Sequence, residues 1–333
     1  MSEQVKPQCP ECNVDRRDFV RLMGAGALAV AAGVGIPRRL RARDAKPHPA
    51  EDLVKELYAG MSADQKKMVC RPFDDAARQS VNPNRALDKT IGTVYTKPQQ
   101  ELLERIVKAI SSGEDGYRLI SRANTWDGSH DFTNCGANVF GEPGKGPFAF
   151  LFTGHHLTVR CDGEFADGAA FGGPIYYGHS PNGYSARNLF YPQTREVMTA
   201  YEALNEEQRK KAVITMGNPG EGARSIRPRG KGQTRPGIAY SELTKDQQEL
   251  IGKVMRSVLS PFRKEDADEV MQIIKATGGM EKIQLAYYSE AYEGAETNSK
   301  QPWSFWRLEG PGFVWNFRVL PHVHTYVNIT SKI

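Results

Sequence analysis

The chain has 333 residues, 39% hydrophobic and 25% charged, which is enough apolar material for a packed core and excludes wholesale disorder. Its formal net charge is +5, but residues 1–46 hold nine Lys and Arg against five Asp and Glu and so supply +4 of it. The remainder is close to neutral, and charge lends no support to a nucleic-acid partner.

In chain order the first signal is Asp15-Arg16-Arg17-Asp18-Phe19-Val20-Arg21, which resembles the twin-arginine export motif. Leu22 to Ile36 follows, rich in Ala and Gly, too short and too weakly apolar for a membrane span. The resemblance implies export of a folded chain by the twin-arginine machinery to the periplasm or another extracytoplasmic space, with no stable span in the mature protein. An uncleaved anchor or an amphipathic helix is the plain alternative. Small-residue spacing suited to cleavage occurs at Ala27-Leu28-Ala29 and Ala29-Val30-Ala31, inside the apolar run. Residues 1–46 are therefore read as signal and linker, and 47–333 as a single α+β domain. Cys9 and Cys12 precede the arginine pair and leave with the signal. Cys70, Cys135 and Cys161 remain, an odd number that allows one disulfide without choosing partners.

A helical segment begins near Ala50, and one pattern then recurs. Tyr58 to Gln65, Tyr201 to Gln208 and Tyr240 to Gln247 each place an apolar residue three after the Tyr, then Ser, Asn or Thr, then Gln three further on. Thr96-Lys97-Pro98-Gln99 is a looser copy. The small polar residue caps free helical N–H groups, and the Gln reaches back to complete a capping box. Structural capping, rather than a polar cluster with chemistry, is the reading of these glutamines. Helical apolar spacing follows the caps at Leu102, Leu103, Ile106, Val107 and Ile110, and at Leu250, Ile251, Val254, Met255 and Val258. Asp268 to Ala276 is a further short helix, stopped by Gly278-Gly279.

Strands are predicted over Phe148 to Cys161, with a turn at Asp162-Gly163, and over Ile283–Tyr292, Trp303–Glu309, Phe313–Val319 and Val323–Ile329 as an antiparallel meander. The expected fold is α+β, an antiparallel sheet flanked by capped amphipathic helices. Phe171 to Tyr184 and Gly217 to Gly237 read as Gly- and Pro-rich loops, the second as a mobile surface loop.

Four of seven histidines fall in two motifs, Gly154-His155-His156-Leu157 and His322-Val323-His324-Thr325. Residues two apart in a strand share a face, so His322 and His324 can present two nitrogen ligands together. His155 and His156 would face opposite sides unless Gly154 marks a bulge, so at most one is expected to join them. Convergence would give a transition-metal site, with zinc, iron, copper or manganese unresolved, and Glu142 or Glu309 as candidate oxygen ligands. Half-buried histidines hydrogen-bonded among the neighbouring aromatics are the competing reading. His179, after Tyr176-Tyr177-Gly178, is a weaker candidate for lining a pocket, and His48 and His130 are weaker still. Gly183-Tyr184-Ser185-Ala186 lacks the glycines of a nucleophile elbow, and Gly141 to Gly146 has no adjoining βαβ pattern, so neither carries a catalytic or phosphate-binding reading.

Phe140-Gly141-Glu142-Pro143, Gly154-His155-His156-Leu157, Phe171-Gly172-Gly173-Pro174, Trp306 to Pro311 and His322 to Thr325, with the capped helices between, resemble the domain-of-unknown-function 3500 family from about Asp52 to Asn328. That resemblance implies no activity. It makes the two histidine motifs the place to look. The chain departs from the family pattern at Asn316, where an acid is typical, and at Asn328-Ile329, where an Arg-Asp step is typical. The function expected is an exported metalloprotein, an enzyme of unassigned reaction acting on a small molecule, with His155, His156, His322 and His324 as candidate ligands and no catalytic residue assigned. The alternative is a non-enzymatic small-molecule-binding protein with an aromatic-lined pocket.

Overall fold

The computed structural model describes residues 49–163, 168–229 and 233–332; the twin-arginine-like segment, the apolar run, Cys9, Cys12, His48 and the linker lie outside them. The helices are α1 (Pro49–Ala59), α2 (Ala63–Val69), α3 (Ile91–Val94), α4 (Lys97–Ile110), α5 (Gly113–Ile120), α6 (Tyr191–Glu202), α7 (Glu206–Ala212), α8 (Gly222–Ser225), α9 (Lys245–Leu259) and α10 (Lys264–Ala276). The strands are β1 (Cys70–Arg71), β2 (Gly136–Gly141), β3 (Phe148–Gly154), β4 (Leu157–Gly163), β5 (Ile175–His179), β6 (Val213–Ile214), β7 (Ile238–Ala239), β8 (Gln284–Tyr288), β9 (Phe305–Gly310), β10 (Phe313–Arg318) and β11 (Val323–Ile329).

All these strands join one sheet in the order β1-β2-β3-β4-β5-β11-β10-β9-β8-β6, with β7 also pairing with β8. The fold is α+β, as the patterning predicts, but the sheet is mixed rather than purely antiparallel. β1 runs parallel to β2, and β6 parallel to β8. Both parallel strands are two residues long and follow helices directly, so neither is long enough to leave an alternating signature. β5 is also absent from the sequence expectation. It lies within a segment read as loop, because Ile175 to His179 is bracketed by Gly172-Gly173-Pro174 and Ser180-Pro181.

The repeated caps mark a repeated architecture. α1, α2, β1, α4, α5 and β2 to β5 recur in the same order as α6, α7, β6, α9, α10 and β8 to β11. Ser62, Asn205 and Thr244 each accept from the backbone N–H of the Gln three residues on, which returns the bond to the cap. Thr96 is capped by Gln99 in the same sense. The glutamines then pair between helices. Gln65 donates to Gln99 at 2.7 Å in one half, and Gln208 to Gln247 at 2.9 Å in the other. Capping is thus their role, extended into an interhelical amide pair. The two halves meet where β5 lies antiparallel to β11, Tyr177 opposite Thr325.

Period-2 alternation sorts the side chains. Phe150, Phe152, Val159, Tyr177, Trp306, Leu308, Trp315, Phe317 and Val327 enter the large core cluster that also contains the apolar faces of α4 and α9. The opposite face is buried yet polar, with Thr158, Arg160, Arg307, Glu309, Asn316, Arg318 and His324 along it. Irregular segments cover that face and are hydrogen-bonded to it. Arg160 donates to the carbonyls of Arg78, Ser80 and Pro174, and Asn82 donates to the Tyr326 hydroxyl at 2.9 Å. The segment after Gly217, expected to be a mobile surface loop, is fastened down. Asn316 donates to the Gly220 carbonyl at 3.0 Å, Asn328 to the Ile226 carbonyl at 2.9 Å, and Arg307 to the Ser225 carbonyl. Asn316 and Asn328 thus both anchor this segment. Cys70, Cys135 and Cys161 are free thiols, so no disulfide joins them.

Candidate metal centre

The Gly-His-His-Leu motif is a hairpin turn rather than part of a strand. Gly154 pairs with Leu157 at the end of the β3–β4 ladder, leaving His155 and His156 as the connection. His156 has φ +53°, a left-handed conformation that costs a non-glycine residue about 1–2 kcal/mol. The turn holds it there through its carbonyl, which accepts from the Gly178 N–H at 3.0 Å. The two rings stay in contact, their centroids 4.0 Å apart, but take different partners. His156 is buried and reaches across β5, whereas the His155 ring packs over Gly128, where a Cβ would lie 2.6 Å from it.

On the other side of β5, His322 immediately precedes β11 and His324 is its second residue. Their spacing puts both rings on the loop-covered face, with Nε2 atoms 2.9 Å apart. The Nε2 of His322 is also 3.3 Å from that of His156. Gly178 opposes His324 in the ladder and makes room for this meeting. A Cβ there would stand 3.1 Å from His324 Cδ2 and 3.3 Å from the His156 Cβ. His156, His322 and His324 thus form a group whose ligand atoms lie within 4.8 Å of one another, while His155 falls into a second group with Asp127 and His156.

Two carboxylates hold the imidazoles from behind. His156 Nδ1 donates to Asp127 Oδ2 at 2.9 Å, and His324 Nδ1 to Glu221 Oε1 at 2.7 Å. Neither acid was expected. Glu309 is buried 2.9 Å from the Arg307 Nε, and Glu142 pairs with Lys145 in a turn at 3.0 Å, so both candidates are committed elsewhere. Asp127 opens a single 3-10 turn and Glu221 immediately precedes α8, both too short to leave a periodic signature. Arg122, Ala123, Asn124, Trp126, Asp127 and His130 all have positive φ, a concentration of backbone strain beside the histidines. Glu221 lies between Gly220 and Gly222, both left-handed at φ +68°, and that lone acid between glycines is the one local sign of it.

The electrostatics favour neutral His322 and His324 and a charged Asp127. Burial, then Arg318, then His156 push the His322 pKa down to about 3, and the same causes hold His324 far below the ordinary value. Burial opposes ionisation of Asp127, but hydrogen bonds from His156 and Ser180 outweigh it and lower its pKa. Burial raises Glu221 to about 6, with Arg318 pulling the other way. Arg318, 1% exposed, donates from Nε to the His322 carbonyl at 3.2 Å and places NH1 3.1 Å from Glu221. Its NH2 lies 3.0 Å from His322 Nε2. His179 points elsewhere, its Nδ1 accepting from the Leu189 N–H at 3.1 Å.

Protons on the two carboxylate-bound Nδ1 atoms leave Nε2 of His156 and His324 with lone pairs. The arrangement can accept a cation. With metal–nitrogen bonds of about 2.0–2.1 Å, separations of 2.9 and 3.3 Å correspond to angles of roughly 90° and 107° at a shared ion.

Residues 45–330 match the family described as a protein of unknown function (DUF3500), so the chain belongs to that family. No curated protein and no solved structure matches it. Among the described residues no helix is long and apolar enough to cross a membrane.

Proposed function

We propose that this chain is an exported metalloprotein in which His156, His322 and His324 bind one transition-metal ion through Nε2. The observation that carries the reading is the convergence of the three Nε2 atoms while carboxylates claim two of the opposite nitrogens. A carboxylate behind each ligating imidazole fixes its tautomer and raises its basicity. An all-nitrogen set suits zinc, copper or iron better than manganese. Three protein ligands would leave a coordination position free, and the half-buried His322 gives the cluster an edge toward solvent, which favours an enzyme over a structural site. The ion would supply Lewis-acid polarisation of whatever oxygen it receives. Export rests on the Arg16-Arg17 segment, and a folded, metal-loaded domain is cargo suited to that route.

A second reading has one observation of its own. Arg318 gives His322 Nε2 a hydrogen-bond donor without any ion, and the stacked Tyr176 and Tyr326 rings, 4.4 Å between centroids, adjoin His324. This is a hydrogen-bonded histidine cluster in a small-molecule-binding protein. Elemental analysis of protein recovered from its native export route separates the two. About one zinc, copper or iron per chain, lost in the His322→Ala/His324→Ala variant, is expected. Metal-free protein that binds its ligand at full strength would overturn the metal reading.

A further inference from the structure

The position of Arg318 says what kind of ligand the free coordination site takes. Its NH2 group has one hydrogen-bond acceptor among the described residues, His322 Nε2 at 3.0 Å, while NH1 is held by Glu221 and Nε by the His322 carbonyl. The His322 lone pair cannot serve both an ion and this N–H. Loading the site therefore strips a buried, charged donor of its partner, and an unpaired donor of that kind is more costly than a lost neutral bond. The vacated N–H stays beside the three imidazoles, because the rest of the guanidinium is fixed and the Tyr292 ring packs against it at 5.2 Å.

Charge narrows the acceptor. Counting the groups that water screens least, a divalent ion and Arg318 give +3, Asp127 and Glu221 give −2, and the three imidazoles are neutral ligands, leaving +1 at the centre, while Glu293, 54% exposed, is screened by solvent. One negative charge cancels it. A dianion would leave excess negative charge beside Glu221 and Glu293, whose carboxylate lies 3.6 Å from Arg318. We infer, resting on the metal reading above, that the centre takes a carboxylate-bearing small molecule, one carboxylate oxygen on the ion and the same group accepting from Arg318 NH2.

Cobalt(II), whose visible spectrum reports its ligands, makes this testable on the full chain. Wild-type protein is loaded with cobalt and titrated with acetate and, separately, phosphate, then compared with Arg318→Gln and Arg318→Lys. The inference expects acetate to perturb the spectrum at lower concentration than phosphate. In Arg318→Gln it expects acetate binding at least tenfold weaker, with cobalt binding as tight as wild type or tighter, since a competitor for His322 and a repelling charge are gone. Arg318→Lys should recover part of the acetate affinity. Opposite changes for the two ligands exclude simple misfolding, which would weaken both. A wild-type chain that binds no cobalt sinks the metal reading and this one with it. Cobalt bound normally, but acetate affinity the same in Arg318→Gln or phosphate preferred, overturns the carboxylate assignment alone.

Discussion

Gly178→Ala tests whether close packing across β5 is what brings the imidazoles together. In most strands this exchange would stabilise the protein by about 0.5–1 kcal/mol, because alanine loses less backbone freedom on folding. Here the added Cβ would sit 2.5 Å from the Val323 carbonyl oxygen, 3.1 Å from His324 Cδ2 and 3.3 Å from the His156 Cβ. The carbonyl is backbone in the middle of the sheet, so it cannot swing aside. Overpacking of this kind costs about 1–3 kcal/mol, which exceeds the entropic gain and leaves a net loss of about 1–2 kcal/mol. The neighbours that must yield carry two of the three proposed ligand nitrogens, so metal affinity is expected to fall about tenfold, equivalent to about 1.4 kcal/mol. Urea melts of the metal-free protein and competitive zinc titrations read the two effects separately. Gly146→Ala, where a Cβ meets nothing within 4 Å, is the control. A Gly178→Ala protein with wild-type stability and zinc affinity would refute the idea that this gap positions the cluster.

Asp127→Asn and Glu221→Gln keep the shape of the groups behind His156 and His324 but remove their charge. Each should lower metal affinity about 10–100-fold while the stoichiometry stays at one, measured by competition with a coloured chelator. A different carboxylate sets the pH dependence of folding. Asp266 is buried beside Arg263, which is also paired with Glu51 at 2.7 Å, and burial lifts its pKa to about 7. Its folded pKa exceeds the unfolded value of about 3.9, so between about pH 4 and 7 the unfolded chain ionises while the folded one keeps the proton, and stability falls as pH rises. Asp266→Asn should flatten that fall; parallel melting curves for the two proteins at every pH would count against it. Arg16→Lys/Arg17→Lys should leave the protein in the cytoplasmic fraction, and undiminished periplasmic protein would exclude the twin-arginine route.

What could be read in advance followed from short-range periodicity. The capped helices were legible because Ser62-Gln65, Asn205-Gln208 and Thr244-Gln247 state a local hydrogen-bond pattern in full. The shared face of His322 and His324 was legible because strand geometry alone dictates it. The rest depends on contacts between distant residues. Nothing local in Ile175 to His179 says that it is the central strand beside β11, since its glycine and proline flanks carry the stronger signal. Asp127 and Glu221 have no periodic neighbours, and their meaning comes from partners 29 and 103 positions away. The histidine turn was mistaken for strand because Phe148 to Cys161 is apolar almost throughout, and its break rests on a left-handed His156 that composition does not disclose.

The joint between the duplicated halves has a mechanical consequence. Asp127 and His156 belong to one half, Glu221, His322 and His324 to the other, and the converging rings come from positions 166 apart. An ion shared among them would act as a rivet through the sheet's middle seam, fastened only after β11, the latest of the described strands, has slotted in beside β5. Chelation should then loosen that seam before the helical layers, visible as faster amide exchange in β5 and β11 than in β3 or β9.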